Sequence, residues 1–217
     1  VMKRIPEIMD VWVDAGTTSW NCLYYPKRKD LFEKYFPADF ILEGKDQIRG
    51  WFNLLLIMSS VTGLPPAYKS VYMHGFINDY KGRKMSKSLG NVISPYEVID
   101  EFGADAFRYY SIGSTNPGLD MNYNQNDVKT RYRNLIVLWN THAYLLRYAK
   151  LYGINPERIK YSELRLSKED EYMLSVLHSS IKEVSECYEE LRINEVPLIL
   201  ENAYLTLSRE YIKSVRE

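Results

Sequence analysis

The chain predicts an α/β domain built on a parallel sheet, followed by an α-helical bundle. Strand-like runs at 39–44 and 70–77 flank a helical pattern at 45–61, and strand, helix, strand in that order is a βαβ unit whose strands run parallel. Up to about residue 125 the sequence is cut by Gly, Pro and turns; beyond it three long amphipathic patterns follow. Each has one apolar stripe, and three such stripes are buried together in an antiparallel bundle.

The elements follow in chain order. DFILEG (39–44) reads as a short buried strand ending on Gly44. Residues 45–61 read as one helix with Ile48, Phe52, Leu55, Leu56 and Ser59 on one face. GLPP (63–66) stops it, and SVYMHGFI (70–77) is the second strand. NDYKGRK (78–84) is a turn around Gly82. SPYEVIDEF (94–102) opens a helix with a Ser cap, Pro in the first turn and Glu at the third position. ADAFRYYSI (104–112) reads as another. Residues 126–151 form a long helix whose stripe is Leu135, Leu138, Trp139, Ala143, Leu146 and Ala149, ending near Gly153 and Pro156. LSKEDEYMLSVL (166–177) carries a capping box at Ser167, Asp170 and Glu171 and runs to about Leu191. Residues 195–214 are the third helix of the bundle, started or interrupted at Pro197.

Composition excludes several classes. Hydrophobic residues make up 46% of 217, enough for a packed core. Lys and Arg number 28 against 28 Asp and Glu, so the chain is no nucleic-acid arm that binds by net charge, although a local basic face is compatible with this balance. Cys22 and Cys187 read as two reduced thiols of a cytoplasmic protein, with neither a disulfide framework nor a zinc pair. No apolar run reaches the roughly 18 residues of a membrane span. The opening VMKRIPEIMD has no signal-type apolar core and reads as the start of an excised piece.

Residues 84–88 read Lys84-Met85-Ser86-Lys87-Ser88, after a strand and a Gly turn and before LGNVISP (89–95). Two ammonium groups three residues apart, with small serines between, suit a loop that meets negative charge as it builds on phosphate and then lets go. The competing reading of a bare K-x-x-K is a solvated basic turn. The full string resembles the KMSKS signature of the class I aminoacyl-tRNA synthetases. Residues 43–52, Glu43-Gly44-Lys45-Asp46-Gln47-Ile48-Arg49-Gly50-Trp51-Phe52, are similar to the EGxDQxRGWF block of the isoleucyl branch of that family. Asp10-Val11-Trp12-Val13-Asp14-Ala15-Gly16 is similar to its DVWFDSG, departing at Val13 for Phe and Ala15 for Ser.

The resemblance implies the second half of a Rossmann-type nucleotide-binding fold, with 1–83 the C-terminal part of that catalytic domain. It implies 84–124 as the loop and stem-contact region, and 125–217 as part of a helical anticodon-binding-type domain. It implies ATP with Mg2+ as substrate, no metal held by these residues themselves, and isoleucine, tRNA(Ile) and the rest of a parent chain as partners. Lys84 and Lys87 would act on the phosphates, with Met85, Ser86 and Ser88 shaping the loop. Gly44 would let backbone approach the nucleotide, Asp46 and Gln47 would take the ribose, and His74-Gly75-Phe76 would meet the adenine. Glu43, Gln47, Trp51 and Trp12 would hold the aminoacyl-adenylate, Gln47 and Trp51 from one helix face. Two of these residues keep alternatives: from spacing alone Trp51 reads as a core aromatic, a reading the block match reverses, and His74 reads equally as a structural histidine.

The family also needs a His-x-Gly-His signature, and His74, His142 and His178, the only histidines, do not form it. In the family it lies earlier in the chain, before an editing insertion. These residues are therefore expected not to aminoacylate by themselves. Editing answers a limit of magnitude: one methylene is worth only ~1–3 kcal/mol in a pocket, and isoleucyl enzymes are the standard illustration. Lys129, Arg131 and Arg133, with Tyr132, offer a positive helix face to tRNA phosphates or are simply solvated. A valyl or leucyl enzyme of the same subclass, and a non-catalytic RNA-binding paralogue, remain the alternatives.

Overall fold

The computed structural model describes residues 2–8 and 10–216. Its contacts group into two units, Val1–Phe76 with Pro117–Asp120, and Ile77–Asn116 with Met121–Glu217. Residues 77–116 thus pack with the helical half of the chain rather than with the first strands.

The first unit contains α1 (Val11–Gly16), α2 (Thr18–Asn21), α3 (Lys29–Tyr35), β1 (Ile41–Gly44), α4 (Trp51–Val61) and β2 (Val71–His74). β1 and β2 are parallel in the register Ile41–Val71 to Gly44–His74, as the βαβ reading requires. α4 buries Phe52, Leu55 and Ser59, one helix face, against α1. Burying Leu55, 1% exposed, contributes about 2 kcal/mol. The approach is close: a Cβ on Gly16 would lie 2.8 Å from Met58 Cγ.

The helix expected over 45–61 is broken. Lys45–Ile48 form a 3₁₀ turn, and α4 starts only after Gly50, whose backbone (φ −113, ψ −111) is not helical. The break takes Ile48 out of register with the buried face, and both it and Leu56 are exposed. The strand expected over 70–77 also divides: β2 ends at His74, and Ile77–Asn78 (β3) pairs in parallel with Met121–Asn122 (β4) in the second unit.

That unit adds α5 (Pro95–Phe102), α6 (Ala104–Gly113), α7 (Gln125–Leu151), α8 (Lys168–Glu189) and α9 (Val196–Thr206). A π-helical turn at Leu207–Tyr211 joins α9 to α10 (Ile212–Val215), so the 195–214 pattern is three segments. The core is Val98, Phe102, Ala106, Tyr110, Met121 and Val128. Tyr110 closes it: its hydroxyl accepts the Asn124 N–H at 2.9 Å and donates to the Asn122 carbonyl at 3.3 Å, tying β4 to the start of α7. Ser94 stands at the N-cap of α5 as expected, but its side chain makes no cap bond. The capping box at Ser167 and Asp170 is complete. The stripe on α7 is only partly covered: Leu135 packs on the core, while Leu138, Trp139 and Leu146 are exposed. An amphipathic pattern says which face seeks cover, not which segment supplies it.

α9 packs against α8, α7 and α6. At this junction Glu201, 7% exposed, accepts from Arg131 Nη1 at 2.8 Å, and Arg131 lies over the Tyr109 ring. Tyr109 donates to the Pro197 carbonyl, and burial first, then nearby Tyr204 and Glu201, push its hydroxyl well above the usual phenol range. Arg131 is therefore an internal ion-pair partner; Lys129 and Arg133 remain exposed.

Removing one partner of a sheltered pair leaves the other charge without compensation. Glu201→Ala is expected to lower the unfolding free energy by about 3 kcal/mol, and Ser167→Ala, which loses one cap, by about 1 kcal/mol. Urea melts of the two variants check the order.

Candidate nucleotide-site residues on two units

The sequence-predicted residues fall on both units. Trp12, Glu43, Gly44, Asp46, Gln47, Trp51, His74, Gly75 and Phe76 belong to the first; Lys84, Met85, Ser86, Lys87 and Ser88 belong to the second.

In the first unit the parallel register sets Gly44 beside His74 at the carboxyl ends of β1 and β2, where ligands of such sheets bind. Gly44 has an ordinary extended backbone, and its missing side chain makes room within the protein. A Cβ there would stand 2.5 Å from Asp46 Oδ1 and 3.3 Å from the His74 ring. Asp46 is exposed and accepts from Gln47 Nε2 at 3.0 Å. Gln47 does not share a helix face with Trp51. It lies before the break, and its Oε1 accepts the Trp51 N–H at 2.9 Å, capping α4 from outside. Gly50 admits this return, since a Cβ would lie 2.7 Å from that oxygen and 3.5 Å from the Trp12 ring. Trp51 is half-buried and donates its indole N–H to the Ala15 carbonyl at 3.0 Å, fixing its ring against α1. Trp12, Gln47 and Trp51 are thereby brought together around Gly50. The Glu43 side chain is exposed and forms no hydrogen bond or ion pair among the described residues.

The His74 ring Nδ1 lies 2.9 Å from the Gly75 carbonyl. A carbonyl only accepts, so this bond requires the proton on Nδ1. Gly75 is packed so closely on Leu119 that a Cβ would overlap the Leu119 carbonyl. Residues 117–120 hold this corner: Gly118 N–H donates to the Met73 carbonyl at 2.6 Å, and Phe76 N–H donates to Asp120 Oδ1 at 2.8 Å. Lys45 closes the clasp, 2.5 Å from Asp120 and over the Phe76 ring. The Lys45 bond, then the Phe76 amide, hold the Asp120 carboxyl below the usual range.

In the second unit the loop is tied at its base. Asp79, 1% exposed, accepts from the backbone N–H groups of Lys81 and Arg83 at 2.9 Å each, from Arg83 Nε at 2.9 Å and from Asn91 Nδ2 at 3.0 Å. Asn91 reaches into the loop, donating to the Lys84 carbonyl at 3.2 Å and accepting the Ser86 N–H at 2.9 Å. Met85 turns its sulfur to the Ile93 N–H at 3.4 Å. Ser86 caps the short 3₁₀ turn Lys87–Leu89 and lies 3.2 Å from the Ser88 hydroxyl; Gly90, at φ +64, ends the turn as only a residue without Cβ does without strain. Lys84 and Lys87 are exposed and make no ion pair among the described residues. Asp79, Asn91, Lys45 and Asp120 are the residues that sequence reading missed. The Asp in NDYKGRK and the Asn in LGN carried the only signal, as turn-type residues beside the motif.

The Asn91 bond, then, against the cost of burial, the Arg83 and Lys81 donors, hold the Asp79 carboxyl well below the usual range. Its folded value lies under the unfolded value of about 3.9, so its contribution is complete above that pH and is lost as pH falls toward the folded value. Thermal melts between neutral and acid pH are expected to show wild type losing more stability than Asp79→Asn, with the two converging at low pH. Gly75→Ala is expected to lower the melting temperature by several degrees, since backbone must move.

The sequence model of the family described as tRNA synthetases class I (I, L, M and V) matches residues 1–124. Isoleucine–tRNA ligase of Methanopyrus kandleri is 41% identical over 233 residues, covering all of this chain and 22% of that protein. The Pyrococcus furiosus ligase of the same name is 39% identical over all of this chain and 20% of its own, and that of Methanosarcina acetivorans is 42% identical over 99% and 20%. The chain spans about a fifth of the length of these relatives. Among solved structures, Mycobacterium tuberculosis methionyl-tRNA synthetase bound by methionyl-adenylate superposes with a TM-score of 0.76 at 27% identity, over 97% of this chain and 42% of that one. Agrobacterium radiobacter LeuRS, in a ternary complex with tRNA and LeuAMS, superposes at 0.79 and 24% identity, over 97% and 27%, which speaks to fold alone.

Proposed function

The chain belongs to the class I tRNA synthetases, and on that premise we propose that it is part of an isoleucine–tRNA ligase that activates isoleucine with ATP and transfers it to tRNA(Ile). Its share is the KMSKS loop together with residues that hold ATP and the aminoacyl-adenylate. The observation that carries this reading is the loop itself: Lys84 and Lys87 are exposed, without an ion pair among the described residues, on backbone that Asn91 ties at Lys84 and at Ser86. The likeness over the whole chain to isoleucine–tRNA ligases supports the choice of amino acid. The paired strands and the binding residues at their carboxyl ends support a Rossmann-type half-fold for 1–83, with 84–124 as loop and stem-contact region and 125–217 as helical anticodon-binding region.

Adenylate formation draws on groups that this chain provides. Carboxylate attack on the α-phosphate places negative charge on the phosphate oxygens and on departing pyrophosphate. Lys84 and Lys87 offset that charge, most strongly in the transition state, where it is greatest. Asp46 accepts from ribose hydroxyls, beside Gln47; the His74–Phe76 backbone, held by Asp120, receives adenine. Trp12 and Trp51 provide apolar surface for the amino-acid side chain, with Glu43 free to accept from its ammonium group. ATP enters as its Mg2+ complex; among the described residues no group of three or more carboxylate, thiol or imidazole side chains converges on a metal position, and no step here is assigned to the ion. No described helix is long and apolar enough to cross a membrane.

Amino-acid-dependent ATP–pyrophosphate exchange by the full-length enzyme tests this. Exchange is expected to be fastest with isoleucine, ahead of valine by about 100-fold in kcat/KM, isoleucyl enzymes being the usual example of that limit. Lys87→Ala is expected to lower kcat by about 100-fold or more with little change in the isoleucine KM. Exchange with valine or leucine alone reassigns the substrate, and no exchange from a folded full-length protein refutes adenylate formation.

A further inference from the structure

The function proposed above uses the loop lysines but not the buried pair beneath them. Asp79 lies before the loop and Asn91 after it, and their side chains meet at 3.0 Å across its base. Asn91 serves the loop with both ends of its amide: Nδ2 donates to the Lys84 carbonyl, Oδ1 accepts the Ser86 N–H. These are the backbone groups on either side of Met85, so one side chain sets the path of the chain between the two lysines. The direction of the amide is set in turn by Asp79. An ionised carboxylate only accepts, which forces Nδ2 toward it and leaves Oδ1 for Ser86.

We propose that Asp79 and Asn91 are a positioning pair for the adenylate-forming loop, Asn91 fixing the backbone that presents Lys84 and Lys87 and Asp79 fixing the orientation of Asn91. Neither touches a phosphate in this assignment. Turn formation alone does not account for the pair. The Lys81 and Arg83 backbone donors already hold the 78–83 turn on Asp79, and the bonds from Asn91 act at Lys84 and Ser86 instead. Since neither lysine makes an ion pair among the described residues, backbone position is what places their charge. The role rests on the synthetase reading.

The test is isoleucine-dependent pyrophosphate exchange by the full-length enzyme carrying Asp79→Asn, Asn91→Asp, both together, or Asn91→Ala. Asp79→Asn opposes two amides, and Asn91→Asp opposes two carboxylates. Each is expected to lower kcat by about 100-fold, the usual cost of misplacing a transition-state group by an ångström, with the isoleucine KM unchanged. The exchanged pair restores one donor facing one acceptor, and is expected to recover about tenfold over the worse single variant, a coupling that independent damage does not give. Asn91→Ala leaves Asp79 its Arg83 and Lys81 donors; it carries the test should the Asp79 variants unfold, and is expected to stay folded with a melting temperature lowered by only a few degrees for the lost bonds, while kcat falls about 100-fold. Wild-type kcat in folded Asn91→Ala overturns the proposal, as do strictly additive losses in the double variant or a change confined to the isoleucine KM. All of these leave the synthetase reading standing if wild type exchanges; a folded wild type without exchange removes that reading and this role with it.

Discussion

A carboxylate buried to 1% exposure has to be answered by donors, and the answer Asp79 receives organises the loop that carries Lys84 and Lys87. Two backbone amides, a guanidinium nitrogen and an amide side chain converge on it. The amides shape the turn, and Arg83 supplies charge from a side chain that is itself more than half exposed. Asn91 passes the constraint on to Lys84 and Ser86. The loop is thus tied at its base and exposed at its lysines, a division that suits the role proposed for them, meeting transition-state charge without first being ordered by it.

The first unit solves a similar problem with glycine. Gly44, Gly50 and Gly75 each stand where a Cβ would meet a neighbour: the Asp46 carboxylate, the Gln47 amide oxygen and the Leu119 carbonyl. None has positive φ, so their contribution is space rather than backbone freedom. The space at Gly50 lets Gln47 fold back to cap α4, and the cap breaks the helix between Gln47 and Trp51. The space at Gly75 lets residues 117–120 close on the corner after β2, where Asp120 and Lys45 hold Phe76. Residues adjacent in the sequence motif are thus held by partners far along the chain.

Charge shows the same division of labour in the helical half. Lys129, Arg131 and Arg133 look alike on the sequence, yet Arg131 is committed to Glu201 at the junction of α6, α7 and α9. Only its neighbours on the exposed face remain for an anionic partner, so a basic run overstates the charge a helix presents.

The sequence by itself determined which candidate groups the chain holds and in what order. The KMSKS string and the EGKDQIRGW block hold the candidate ammonium groups, carboxylates and indole, and the βαβ pattern follows from local periodicity, because strand and helix repeats are properties of neighbouring residues. The capping box at Ser167 was legible for the same reason, lying within four residues. Tertiary structure alone decided that helix 45–61 breaks at Gly50, that strand 70–77 divides at Gly75, that the α7 stripe is covered only in part and that Arg131 turns inward. It also decided that Asp79 is buried and meets Asn91. These outcomes depend on which donors and surfaces arrive from elsewhere in the chain to satisfy a buried polar group, and no local pattern records that arrival.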